Sequence, residues 1–209
     1  MSNGPGRTSG DDAGLRTHAL TMVVVLLLFG LPVLAASAGA HTDDHWAALR
    51  RPLNFPQLAA GTPCPVSHVD ARITWRGINI FGGQGIGRGP VYPGLGAHSG
   101  LLWATRDQQY GGPWFGDKVF WYVQPTYRGP VMIRGRRIDG SGMVRFNAGR
   151  LPAPELHIAR GESVSWHQQP AGSRGVPSGV RVLTPGCYAF QIDGTSFSHV
   201  AVFTADLDR

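Results

Sequence analysis

Apolar and polar residues alternate with a period of two through much of this chain, and the runs are short. In Tyr188-Ala-Phe-Gln-Ile192 the large apolar residues fall on every second position, the pattern of a strand with one buried face. Similar runs predict strands at Ala71–Trp75, Leu101–Thr105, Lys118–Gln124, Val131–Ile138, Gly142–Asn147, Ser163–His167, Val180–Leu183, Tyr188–Ile192 and Phe197–Phe203. Turn residues separate them. Asp139-Gly140 and Asp193-Gly194 each join two such runs, and Asp-Gly is a strong signal for a two-residue hairpin. No capped pattern of helical period stands among these runs. Many short antiparallel strands are most simply accommodated as two sheets packed face to face. The expected fold is therefore all-β, an antiparallel β-sandwich of immunoglobulin-like or cupredoxin-like outline.

The longest apolar run lies outside this pattern. Leu20 to Leu34 is almost wholly apolar, follows Arg16 and His18, and is short for a membrane-spanning helix. Small residues follow at Ala35-Ala-Ser-Ala-Gly-Ala40. Residues 1–40 are read as a signal peptide, cleaved after Ala38 or Ala40, with an uncleaved membrane anchor as the rival. No cysteine follows the run, which argues against a lipoprotein anchor. Residues 41–62 read as a linker or strap and residues 63–209 as one domain, so the protein is expected to be secreted or bound to the cell envelope.

Composition sharpens this picture. The 30 glycines and 16 prolines among 209 residues are interleaved with β-branched and aromatic runs, as in a turn-rich β domain. The net charge of +6 is carried by arginine, since Lys118 is the single lysine. Residues 1–40 hold two arginines and two aspartates, so the remainder keeps the same excess. Such an excess suits an anionic partner such as a cell-wall polymer, although a coding bias towards arginine is the stronger explanation of it. Another envelope protein is a further candidate partner. No nucleic-acid partner is expected, and membrane contact is expected only through an uncleaved N-terminal segment.

Cys64 and Cys187 are expected to pair, because two cysteines in an exported chain are more often bonded than free. Closing so long a loop is worth at most about 4–5 kcal/mol in the chain-entropy picture. The rival is a catalytic cysteine served by a distant histidine.

Several catalytic signatures are missing. Ala171-Gly-Ser-Arg-Gly175 lacks the first glycine of a nucleophile elbow, no Ser or Thr stands three residues before Lys118, and no His-Glu-x-x-His occurs. The glycine-rich Asn79–Pro90 stretch does not spell a dinucleotide loop and runs into Pro90-Val-Tyr-Pro93, which forbids a following helix. This reading leans away from an enzyme and towards a non-catalytic binding or structural module. The candidate surface joins Trp114 and Phe115, in a glycine-rich loop that cannot easily bury both, with Arg134, Arg136, Arg137 and Arg145. No cofactor is required. The alternative is a copper-binding protein or oxidase, in which cleavage after Ala40 frees the His41 amine and imidazole to bind copper together with His45. His199 reads as a core histidine; His157 and His167 carry weaker interest.

Two resemblances add to this. Leu156-His-Ile-Ala-Arg-Gly-Glu-Ser-Val-Ser-Trp166, Thr184-Pro-Gly-Cys-Tyr-Ala-Phe190 and Ser198-His-Val-Ala-Val-Phe203 are similar to the closing half of cupredoxin-like domains. The resemblance implies a sandwich without type 1 copper, because the family's cysteine would fall near Ile192 and no methionine follows. Pro63-Cys-Pro-Val-Ser67, Gly89-Pro-Val-Tyr-Pro93, Gly129–Gly140 and Pro185–Gly194 resemble a group of uncharacterised exported bacterial proteins. That likeness implies the same fold and location and supplies no activity.

Overall fold

A computed structural model describes residues 44, 46–59, 61–74, 84–95, 99–106, 112–147, 151–166 and 169–208. The expected signal segment, His41, His45 and His167 lie outside the described residues. What is described is all-β. The strands are β1 (Val69–Thr74), β2 (Gln84–Ile86), β3 (Val91–Pro93), β4 (Leu101–Arg106), β5 (Phe115–Val123), β6 (Val131–Arg137), β7 (Arg145–Phe146), β8 (Leu156–Ile158), β9 (Arg174–Val182), β10 (Gly186–Gly194) and β11 (Ser198–Leu207).

Among the described residues, pairing runs without a break through one sheet, in the order β7-β9-β5-β4-β11-β10-β6-β8, with β3 beside β5. These nine strands do not divide into two separately hydrogen-bonded sheets as a simple sandwich would. The reason is β4, which pairs in parallel with β11 through Leu101–Ala104 and then turns to pair with β5 at Thr105 and Arg106. One strand thus serves both halves as a corner. The far edges also meet: Arg136 bridges Met143, Phe146 bridges Ala153, and the Val144 N–H donates to Gly135 O at 3.0 Å. A Cβ on Gly135 would stand 2.8 Å from Val144 Cγ2, so this approach requires glycine. The result is a nearly closed, barrel-like sheet, and β1 and β2 form a separate antiparallel pair.

The core fills the inside. Phe190 stacks on Phe203 with centroids 4.3 Å apart, and Trp121 meets Phe190 edge to face at 5.0 Å. The Trp121 indole N–H donates to Ser178 Oγ at 2.8 Å, so the ring is fully buried with its polar handle satisfied. Each such aromatic contributes roughly 2–3 kcal/mol of burial.

The outer face of β10 is covered as well. Residues 46–59 cross it as a strap. The Leu58 N–H donates to Ile138 O, the Asn54 N–H donates to Gln191 Oε1 at 2.7 Å, and Phe55 packs on Ile138, Cys187, Ala189 and Val202. Tyr188, Phe190 and Ile192 therefore face the core as the alternation predicts, while Ala189, Gln191 and Asp193 are buried under the strap. Cys64 and Cys187 are paired as a disulfide with Cα atoms 5.4 Å apart, which fastens the segment after the strap to the start of β10.

Candidate functional site

A cleft of about 970 Å³ opens where the strap, the β1–β2 pair and the first residues of β11 meet. Behind its lining lies a buried carboxylate, to which the lining residues Gln191 and Ser198 are hydrogen-bonded. Asp193, fully buried, accepts from Arg134 at 2.7 Å, from Ser198 Oγ at 2.6 Å and from Gln191 Nε2 at 3.0 Å, and lies 3.7 Å from Arg51. β10 supplies Asp193 and Gln191, β6 supplies Arg134 and β11 supplies Ser198, so the sheet itself holds the carboxylate and the docked strap adds Arg51 as a second cation. Arg51 also donates to the Phe197 and Thr195 carbonyls.

The wall is built by β1 and β3. Asp70 Oδ1 accepts from the Arg72 backbone N–H and from Arg72 Nε, while Oδ2 accepts from Arg72 Nη2 and the Tyr92 hydroxyl. These bonds, above all those from the Arg72 side chain, hold the Asp70 carboxyl down at about 2. Burial pushes the Tyr92 phenol up, and the neighbouring Asp70 charge adds to this. With Nε and Nη2 on Asp70, the Arg72 head keeps Nη1 uncommitted, and its side chain is 87% exposed.

The rim carries the open cation. Gly87 adopts φ +93° and donates its N–H to His68 O at 2.8 Å, which turns the chain so that Arg88 stands on the cleft. Arg88 is exposed and has no hydrogen bond or ion pair with any described residue. His68 and the Asn54 side chain also face the cleft. His199 lies between: its ring stacks on Phe197 at 5.3 Å and its Nε2 is 3.3 Å from Val91 O. Burial pushes the His199 pKa below the ordinary value of 6.5, against the opposing pull of the Val91 carbonyl.

The residues singled out in the sequence lie elsewhere. Phe115 is a core residue, 7% exposed, with Arg106 Cζ 4.7 Å from its ring centre; Trp114 beside it is half-buried. A smaller hollow of about 370 Å³ adjoins Phe115, bounded by Arg106, Leu183, Thr184, Pro185 and Leu207. Arg137 is the one predicted arginine tied to that hollow, donating to Thr184 Oγ1 at 3.1 Å and to Asp139 at 2.6 Å. Arg134 serves Asp193 and Arg51 O, and Arg136 lies 6.0 Å over the Phe55 ring and donates to Arg137 O. Arg145 stands on β7 opposite Arg181. The structure thus disperses the predicted aromatic and basic set, joining only Phe115 and Arg137 to a common hollow.

Sequence reasoning passed over Arg72, Arg88, Asn54 and Ser198. One signal was available: Gly87-Arg-Gly-Pro90 sets an arginine at a turn between two glycines, where its side chain has few neighbours to pair with. His157 stacks on Trp46 at 4.3 Å and lies 2.9 Å from Glu155, which also holds Arg50. That cluster latches the start of the strap. No family model, curated protein or solved structure matches this chain.

Proposed function

We propose that the chain is an exported, non-catalytic binding protein of the cell envelope, and that it holds an anionic ligand in the cleft between the strap, the β2–β3 turn and β11. The observation that carries this reading is Arg88, exposed on the cleft and without a partner among the described residues. Arg72 stands in the same cleft with one carboxylate, Asp70, beside it. Two guanidinium groups against the one carboxylate of the lining, the largely buried Asp70, leave the cleft cationic, and arginine presents a planar donor fork matched to carboxylates and phosphates.

The cleft serines favour holding a ligand over attacking it. Ser198 donates to Asp193, and Ser67 Oγ accepts the Val202 N–H at 2.8 Å. Neither hydroxyl is served by an imidazole in these bonds, the arrangement that would activate it. Export draws support from the apolar run at Leu20–Leu34 and from the disulfide, since such bonds persist in oxidising compartments. In outline we read the curled sheet as two halves facing across the aromatic core, a sandwich joined at the β4 corner.

The test is a binding titration of residues 41–209 with a purified acidic wall polymer at rising salt. Affinity should fall as the ionic strength passes about 0.1 M, where the screening length is about 10 Å. Arg88→Ala should bind more weakly at every salt concentration. Salt-independent binding, or an unaffected Arg88→Ala variant, contradicts the proposal.

A further inference from the structure

We infer that the ligand of this cleft is an acidic saccharide, a sugar acid whose carboxylate meets Arg88 and whose hydroxyl donates to Ser198. The inference rests on the anion-binding reading above and narrows it to one chemical class.

Hydrogen count at Ser198 decides what the ligand must bring. A serine hydroxyl has one hydrogen and two lone pairs. Ser198 spends its hydrogen on Asp193 Oδ1, at 2.6 Å. Asp193 is fully buried and is an acceptor in its bonds from Arg134 and Gln191 as well. Ser198, exposed in the cleft, therefore presents lone pairs to whatever enters. A ligand that satisfies it must bring a donor. Phosphate and sulfate groups in polymers are acceptors and bring none. A sugar ring brings several.

The neighbouring groups ask for the complement. Arg88 and the uncommitted Nη1 of Arg72 are donors only, and they call for an acceptor, best of all an anion. The Asn54 side chain, which makes no hydrogen bond with a described residue, offers both a donor and an acceptor. One molecule that carries a carboxylate together with hydroxyls meets all of these groups at once. The volume, about 970 Å³, is at the upper end of the range of small-molecule sites and exceeds what a single sugar ring needs, so a short oligomer is the natural occupant.

Calorimetric titration of the protein as isolated from the expressing cell with three probes tests this: a short oligogalacturonide, its methyl ester, and a polyphosphate of equal charge. The oligogalacturonide should bind. Its methyl ester and the polyphosphate should each bind about tenfold more weakly or worse, because each lacks one half of the recognition. Arg88→Ala should weaken the oligogalacturonide by about tenfold and leave the ester unchanged, and Arg88→Lys should recover part of the loss. If polyphosphate binds as tightly as the oligogalacturonide and Arg88→Ala abolishes both, the cleft is a plain anion site; the saccharide inference is overturned and the proposed function stands. If the ester binds as well as the acid, or none of the probes binds, the anion-binding reading falls and takes this inference with it.

Discussion

Two arginine pairs flank the junction of the strap with β10 and β11, and they are used in opposite ways. Arg51 and Arg134 converge on Asp193, a carboxylate with no exposed surface. Arg72 and Arg88 stand on the cleft wall and rim, the first oriented by Asp70 and the second open. The residue type is the same and the chemistry differs because of what lies behind each head group. A buried carboxylate takes its cation out of circulation and makes it a staple for the strap. A carboxylate at the cleft edge leaves part of the guanidinium fork facing outward. Arginine content alone thus says little about a binding surface; the positions of the carboxylates decide it.

The largest expected effect breaks the buried pair. Arg134→Met removes the closest cation from Asp193 and strands a buried charge, at a cost of about 3–5 kcal/mol in chemical denaturation. The double variant with Asp193→Asn should recover part of that loss, since the remaining group is neutral. Replacing Cys64 and Cys187 by serine comes next, with an expected loss of about 2–5 kcal/mol. Because the bond ties the segment beyond the strap to β10, protease sensitivity of the strap should rise with it.

Arg88→Ala sharpens the other side of the comparison. Its stability should stay within about 0.5 kcal/mol of the parent, as for a surface residue without partners. Its affinity for an acidic ligand should fall nonetheless. A large loss of stability on this substitution would show that Arg88 is another staple and that the contrast between the pairs is false.

The smallest effect concerns pH. His199 has its pKa lowered by burial, so the neutral ring is favoured in the folded state. The unfolded chain then binds a proton more readily below the ordinary value of 6.5, and stability falls as pH drops through that region towards the folded pKa. His199→Gln should flatten the slope on the acid side of the ordinary value of 6.5. Asp70, Asp139 and Glu155 are shifted downward by Arg72, Arg137 and Arg50, so their contribution is present above the ordinary carboxylate range and is lost at more acidic pH. A His199→Gln variant with an unchanged slope would assign the whole effect to other groups.

The sequence carried the strand content well where the strands are long. The β5, β6, β10 and β11 runs are apolar enough to read, and the two cysteines announced their pairing. The short strands were not legible: β2, β3 and β8 span three residues each and are held by their neighbours rather than by propensity. Of the expected strand Ser163–His167, the described residues Ser163–Trp166 do not form one; the Val164 N–H donates to Gly175 O at 2.8 Å as a single bond without a ladder. Asp139-Gly140 lies in a turn between paired segments, longer than the expected two residues, whereas Asp193 and Gly194 fall inside β10 and that hairpin turns after them, at Thr195-Ser196. The Arg137 N–H reaches Gly142 O, and the Gly194 N–H reaches Phe197 O. The cleft was illegible for a different reason. Asn54, Arg88 and Ser198 are far apart in the chain and line one cleft because the strap carries Asn54 across β10 while the turn after β2 sets Arg88 beside β11. Arg134 was visible as a charge, and its commitment to Asp193, on a different strand, was not.

The central claim is that the open arginines of the cleft, and not the Trp114 loop or the strap arginines, meet the ligand. Amide chemical-shift mapping during titration with an oligogalacturonide tests it most directly. The account predicts shifts concentrated at Gly87–Gly89, Ser198–Val200 and Asn54, with Trp114, Phe115 and Arg145 unmoved. Shifts centred on Trp114–Gly116 and Arg145, with the cleft amides silent, would contradict it.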